Sequence, residues 1–130
     1  MHTDQGLYRL RVRGGFSASH QLLHYEGKCE RLHGHNFRVE AEVEGREVDP
    51  DTGMLLDFKV LKKRLNAVLD YLDHRHLNEL TPFEGLSPSS ENIARYIFTT
   101  LQKSMAEPGV RLREVSVAEN EGSVAVYREE

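Results

Sequence analysis

The stretch His33-Gly34-His35-Asn36-Phe37-Arg38-Val39-Glu40-Ala41-Glu42-Val43-Glu44-Gly45 decides the fold. From Phe37 onward, Phe37, Val39, Ala41 and Val43 alternate strictly with Arg38, Glu40, Glu42 and Glu44. Successive strand side chains point to opposite faces, so the pattern predicts a half-buried β-strand ending at Gly45. Upstream, Tyr8, Leu10 and Val12 alternate with Arg9, Arg11 and Arg13, and the alternation resumes after Gly14-Gly15 with Phe16, Ala18 and His20. That reads as a first strand with a glycine bulge. The two are joined by a connection of about a dozen residues rich in Gly, His and charge; connections of that length often carry function.

Downstream, Val48-Asp49-Pro50-Asp51-Thr52-Gly53 is turn chemistry. Asp57 is placed to cap a helix whose apolar positions Val60, Leu61, Leu65, Val68, Leu69 and Leu72 recur at helical spacing, with Lys62, Lys63 and Arg64 facing away. After a loop with Pro82 and Gly85, Ser87-Pro88-Ser89-Ser90-Glu91 starts a second helix. Its stripe is Ile93, Ala94, Ile97, Phe98, Leu101 and Met105, and Pro108-Gly109 is expected to stop it. Two β-patterned segments, 110–118 and 123–127, flank Glu119-Asn120-Glu121-Gly122, which reads as a hairpin turn. The order ββααββ predicts an α+β fold: an antiparallel four-stranded sheet with two helices on one face. Such a sheet leaves two long edges, so edge-to-edge assembly into a ring-like homo-oligomer is expected.

Length and charge agree with this frame. A chain of 130 residues is one domain, 1–130, and 38% hydrophobic with 29% charged residues is the composition of a folding globular chain. Net charge is −4 (17 Lys+Arg against 21 Asp+Glu), without the basic excess of a duplex-binding protein, so no nucleic-acid partner is expected. No apolar run reaches the roughly 18–20 residues of a membrane span, and the start Met1-His2-Thr3-Asp4 has no basic end followed by a hydrophobic stretch. We therefore expect no membrane association and a cytoplasmic location. The single cysteine, Cys29, can form no internal disulfide.

The chemistry concentrates around that cysteine. His33 and His35, two apart at the start of a strand, leave one face, and His20 ends the preceding strand. If the two strands pair antiparallel, three imidazoles converge on an open site suited to zinc. Cys29 either closes such a site as a fourth ligand or stands beside it as a base or nucleophile, activated by Lys28, Arg31 or the metal. Asp73-His74, directly after the first helix, puts a carboxylate beside an imidazole, which suits proton transfer but also fits a helix end. His24 and His76 lack comparable support and read as surface residues or neighbours of the site.

Taken together, Phe16-Ser17-Ala18-Ser19-His20, Cys29-Glu30-Arg31-Leu32-His33-Gly34-His35, Leu72-Asp73-His74 and Glu119 resemble the 6-pyruvoyl-tetrahydropterin synthase family. Asp49-Pro50-x-Thr52-Gly53-x-x-x-Asp57-Phe58 and Ser89-Ser90-Glu91-Asn92 extend the resemblance over most of the chain. The short gap between Cys29 and His33 resembles the bacterial branch that makes 6-carboxy-5,6,7,8-tetrahydropterin for queuosine and other 7-deazapurines.

The resemblance implies a tunnelling fold (T-fold), in which subunits join their sheets into an oligomeric β-barrel, usually a hexamer built as a dimer of trimers with active sites between subunits. It implies lyase chemistry on a pterin triphosphate, 7,8-dihydroneopterin triphosphate, with Zn2+ held by His20, His33 and His35. Cys29 would accept a proton, and the Asp73/His74 pair would relay or donate protons from the other side. Glu119 would anchor the pterin through its two oxygens and is also placed in the relay with the histidine. Ser89 and Ser90 are helix caps first and donors to the substrate second. Sister reactions giving a pyruvoyl or retro-aldol product, and a non-catalytic zinc-stabilised oligomerisation module, stay open as alternatives.

Overall fold

Antiparallel pairing of β1 (Tyr8–His20) with β2 (His33–Gly45) organises the computed structural model, which describes residues 6–26 and 31–130. Its register runs unbroken from Tyr8 opposite Gly45 to His20 opposite His33. The bulge expected at Gly14-Gly15 is therefore absent, and the even-numbered residues of β1 face inward on both sides of the glycines. Close approach explains the pair instead. A Cβ at Gly14 would stand 2.8 Å from Leu69 Cδ1, and one at Gly15 would stand 2.9 Å from the Phe37 carbonyl oxygen.

Among the described residues five strands make up the sheet, rather than the four expected, in the order β3-β1-β2-β4-β5, with β3 (Arg75–His76), β4 (Val110–Asn120) and β5 (Ser123–Tyr127). The extra strand is two residues long, too short to leave an alternation in sequence; it forms because the chain runs parallel to the end of β1, Arg75 beside Ala18 and His76 beside Ser19. The β4–β5 turn is also tighter than expected. Asn120 Oδ1 accepts from the Gly122 N–H at 2.8 Å, leaving only Glu121 and Gly122 between the strands. Glu119 thus lies within β4, at a register shift between Ala118 and Asn120.

One face of the sheet is covered by α1 (Phe58–Leu72) and α2 (Ser90–Ser104). Asp57 caps α1 by accepting from Lys59 N–H at 2.8 Å, and Ser89 caps α2 by accepting from Asn92 N–H at 3.2 Å. The inward stripes, Leu61, Leu65, Leu69 and Leu72 on α1 and Ile93, Ile97 and Leu101 on α2, are buried against Val39, Val43 and Val115; each such side chain contributes about 2 kcal/mol by leaving water. The second helix ends at Ser104, short of Pro108-Gly109. Ser104 Oγ donates to the Leu101 carbonyl at 2.6 Å and Met105 is already extended. Arg64, expected to face solvent, turns back to Glu107 and holds its carboxylate through two hydrogen bonds of 2.7 and 2.8 Å.

The opposite face carries the arginines and glutamates of the strands. At its centre Glu42 is only 1% exposed, covered by Arg11 at 2.6 Å and Arg113 at 2.8 Å. These guanidiniums hold its carboxyl below the ordinary range against the desolvation that would raise it. No helix among the described residues is long and apolar enough to cross a membrane.

Candidate active site

The register that builds the sheet also builds the site. His20 lies directly opposite His33, and His35, opposite Ala18, is its diagonal neighbour on the same face. Their ring centroids are 4.5 Å (His20–His33), 5.3 Å (His20–His35) and 4.6 Å (His33–His35) apart, and Phe37 packs edge-on beneath His20 and His35. One ligand nitrogen from each imidazole lies within 4.8 Å of the others.

Carbonyl contacts at Nδ1 orient two of the three rings. His20 Nδ1 lies 2.7 Å from the Pro88 carbonyl oxygen, which only accepts, so Nδ1 carries the proton and Nε2 keeps its lone pair. That Nε2 is buried without a hydrogen-bond partner, an expensive arrangement unless a cation completes it. His33 Nδ1 likewise sits 2.9 Å from the Arg31 carbonyl. Burial pushes the His20 imidazole below its ordinary value, with the Pro88 bond opposing, and so favours the neutral, ligating form. Orphaned lone pair, fixed tautomers and an all-imidazole donor set fit a divalent metal such as zinc. Nitrogens at about 2.0–2.1 Å from one tetrahedral ion stand roughly 3.4 Å apart, so small ring rotations would close the trio on it.

Glu119 is beside the trio, not at the tip of a turn. Its Oε1 lies 3.6 Å from His20 Nε2 and its Oε2 3.7 Å from His35 Nε2. Re-aiming one side chain in this way is a common use of a strand irregularity. Ser90 Oγ donates to Glu119 Oε1 at 3.1 Å, whereas the Ser89 hydroxyl is used in the α2 cap. Both serines, with Glu119 and the edge of β5 from Ser123 to Val126, line one cleft of about 450 Å³.

Asp73 and His74 meet each other. His74 Nδ1 and Asp73 Oδ2 are 2.8 Å apart, and Asp73 Oδ1 accepts from Ser17 N–H at 2.8 Å. The Ser17 bond first, and His74 second, hold the Asp73 carboxyl below its usual range. His74 itself is in the left-handed region, φ 58°, with its N–H on the Ser17 carbonyl at 2.6 Å. Asp73, not Glu119, is thus the carboxylate paired with this imidazole in the chain. His74 opens into a second cleft with Ser17, Ser19, Asn36, His76 and His35 of the trio, whereas Glu119 lines the first and not the second. His76 Nδ1 is 3.0 Å from Ser19 Oγ. Cys29, like Lys28, lies outside the described residues.

Two features of the site left no mark in the sequence. The Pro88 carbonyl reaches His20 across 68 positions, and Asn78 brackets the backbone of Gln21 across 57. Ser87 and Pro88 read only as helix-start chemistry, although Pro88 touches the site and Ser87 the chain leading from it.

Comparison with known proteins identifies the family. A 6-carboxy-5,6,7,8-tetrahydropterin synthase of Synechocystis is 44% identical over 116 residues, covering 86% of each chain. The human 6-pyruvoyl tetrahydrobiopterin synthase is 38% identical over 132 aligned positions, 91% of this chain and 89% of that one. The solved structure of 6-pyruvoyl tetrahydropterin synthase from Caenorhabditis elegans superposes with a TM-score of 0.83 at 31% identity, over 96% of this chain and 97% of that one. The sequence profile described as 6-pyruvoyl tetrahydropterin synthase matches residues 9–130, and with the fold shared and the alignments covering most of both chains the chain belongs to that family of pterin synthases and lyases.

Proposed function

We propose that the chain is a zinc-dependent lyase converting 7,8-dihydroneopterin triphosphate and water to 6-carboxy-5,6,7,8-tetrahydropterin, acetaldehyde and triphosphate, in the cytoplasm and on the route to queuosine. The observation that carries the reading is the buried, unpartnered Nε2 of His20 facing His33 and His35, with its tautomer set by Pro88. The Synechocystis relative supports the carboxy product.

His20, His33 and His35 would hold the zinc, which supplies Lewis acidity that makes a bound hydroxyl and the adjacent C–H more acidic. Cys29 accepts the proton released there. On the other side Asp73 fixes the His74 ring, leaving its Nε2 to carry a proton to or from the substrate side chain. Glu119 keeps lone pairs on both oxygens after accepting from Ser90, enough to receive the pterin ring N–H and its amino group side by side.

His74 and Glu119 line different clefts on the two sides of His35, which supports a site completed by more than one copy of the chain. Among the described residues most of β1 lacks a neighbour on its outer side and β5 has none beyond it, which supports edge-to-edge joining into a barrel-like trimer and a homohexamer.

Anaerobic incubation of zinc-loaded protein with the triphosphate substrate, with pterin and acetaldehyde quantified by mass spectrometry, tests the reading. Carboxytetrahydropterin with equimolar acetaldehyde is expected. A pyruvoyl product, as the name of the human relative suggests, or a retro-aldol fragment would move the chain to a sister activity. Absence of turnover with zinc bound would favour a structural module.

A further inference from the structure

We propose that Asn78 and Ser87 are positioning residues that extend the hydrogen-bond ladder of β1 past its end and so hold His20 at its place in the metal site. The inference rests on the reading of His20, His33 and His35 as metal ligands.

His20 is the last residue of β1, the point where a strand ordinarily frays. Beyond it, Gln21 and Leu23 have no strand beside them among the described residues, yet both backbones are satisfied. Asn78 Oδ1 accepts from Gln21 N–H at 2.8 Å and Asn78 Nδ2 donates to the Gln21 carbonyl at 2.8 Å, so the side-chain amide acts as the missing peptide group of a neighbouring strand. Two residues along, Ser87 Oγ accepts from Leu23 N–H at 2.7 Å and donates back to the Leu23 carbonyl at 3.2 Å. The Ser87 carbonyl is in turn held by Asn92 Nδ2 at 2.8 Å, tying the arrangement to the first turn of α2.

Placement makes this more than local tidiness. Asn78 follows β3, whose Arg75 and His76 pair in parallel with Ala18 and Ser19, so the amide continues that pairing by one further rung. Ser87 precedes Pro88, whose carbonyl sets the His20 tautomer. The backbone on both sides of this ligand is therefore tied down, before it by β3 and after it by two side chains. The tied segment leads to His24 and Glu26, both at positive φ (58° and 51°), conformations that non-glycine residues keep only when their surroundings enforce them.

The test is cobalt and zinc affinity of the full-length protein by competition with a chromophoric chelator, together with the cobalt absorption spectrum and the melting temperature of the metal-free form. Asn78→Ala and Ser87→Ala are each expected to weaken metal binding about tenfold and to alter the cobalt spectrum while the metal-free protein still melts cooperatively. Ser87→Thr, which keeps the hydroxyl, should restore the wild-type affinity and spectrum. Variants that bind cobalt as the wild type does would overturn the proposal and leave the metal site standing. Wild-type protein that binds neither ion would overturn both. Should the alanine variants not fold, wild-type amide exchange decides: protected Gln21 and Leu23 amides support the clamp, and exchange as fast as in an open loop overturns it.

Discussion

At the residue scale, the site is a case of single side chains each offering one ligand nitrogen to a common point. His33→Ala removes one of three nitrogens that no other described residue replaces, so the variant should retain less than a tenth of the wild-type zinc by elemental analysis after dialysis. Stoichiometric metal in that variant would overturn the ligand set. The glycines make a different point. Reading Gly14-Gly15 as a bulge followed from what glycine does to a strand in general, yet Val12, Phe16 and His20 share one parity and already required an unbroken register. Gly15→Ala should cost about 2 kcal/mol in denaturant titration, because its Cβ would meet the Phe37 backbone carbonyl. Gly14→Ala should cost less, since a Leu69 methyl can move more readily than backbone.

At the scale of elements, periodicity exposed what periodicity can encode. Strand 37–45, the Asp57 cap and the stripes of both helices were legible because each repeats a local rule over many residues. The antiparallel pairing that brings His20 to His33 followed from those strands. What escaped was long-range or brief: a two-residue β3, the carbonyl of Pro88, the amide of Asn78, and the strand position of Glu119, a site residue named from the resemblance whose neighbour Asn120 supplies turn chemistry that makes it read as part of a turn. The Arg64–Glu107 pair joins α1 to the connection after α2 and carries a pH signature of its own. Arg64 holds Glu107 down at about 2 from an ordinary 4.5. A lowered carboxylate stabilises fully above its unfolded value and loses that contribution as pH falls from about 4.5 toward about 2. Discounted for partial exposure, the pair should be worth about 2 kcal/mol at neutral pH. Glu107→Gln should show a flatter fall of stability below pH 4.5 in acid titrations followed by circular dichroism. An unchanged slope would assign acid unfolding to other carboxylates such as Glu42 and Asp73, both also held low.

For the whole molecule, the unneighboured edges and the two separate clefts point the same way. Sedimentation at micromolar concentration should give an assembly well above a single chain. Lysines at Val124 and Val126, which are 59% and 56% exposed on β5, should shift it toward smaller species without unfolding the subunit. A single-chain mass for the unaltered protein would refute the shared-site reading. The left-handed backbone of His74 carries a consequence for how this chain can change over time. Glycine would sit there with less strain, and the exposed Asp73–His74 pair it would remove contributes little to folding. His74→Gly should therefore melt no lower than wild type, by calorimetry, while losing turnover. A population selected for heat resistance alone would tend to replace this histidine by glycine, whereas one selected on turnover would keep it.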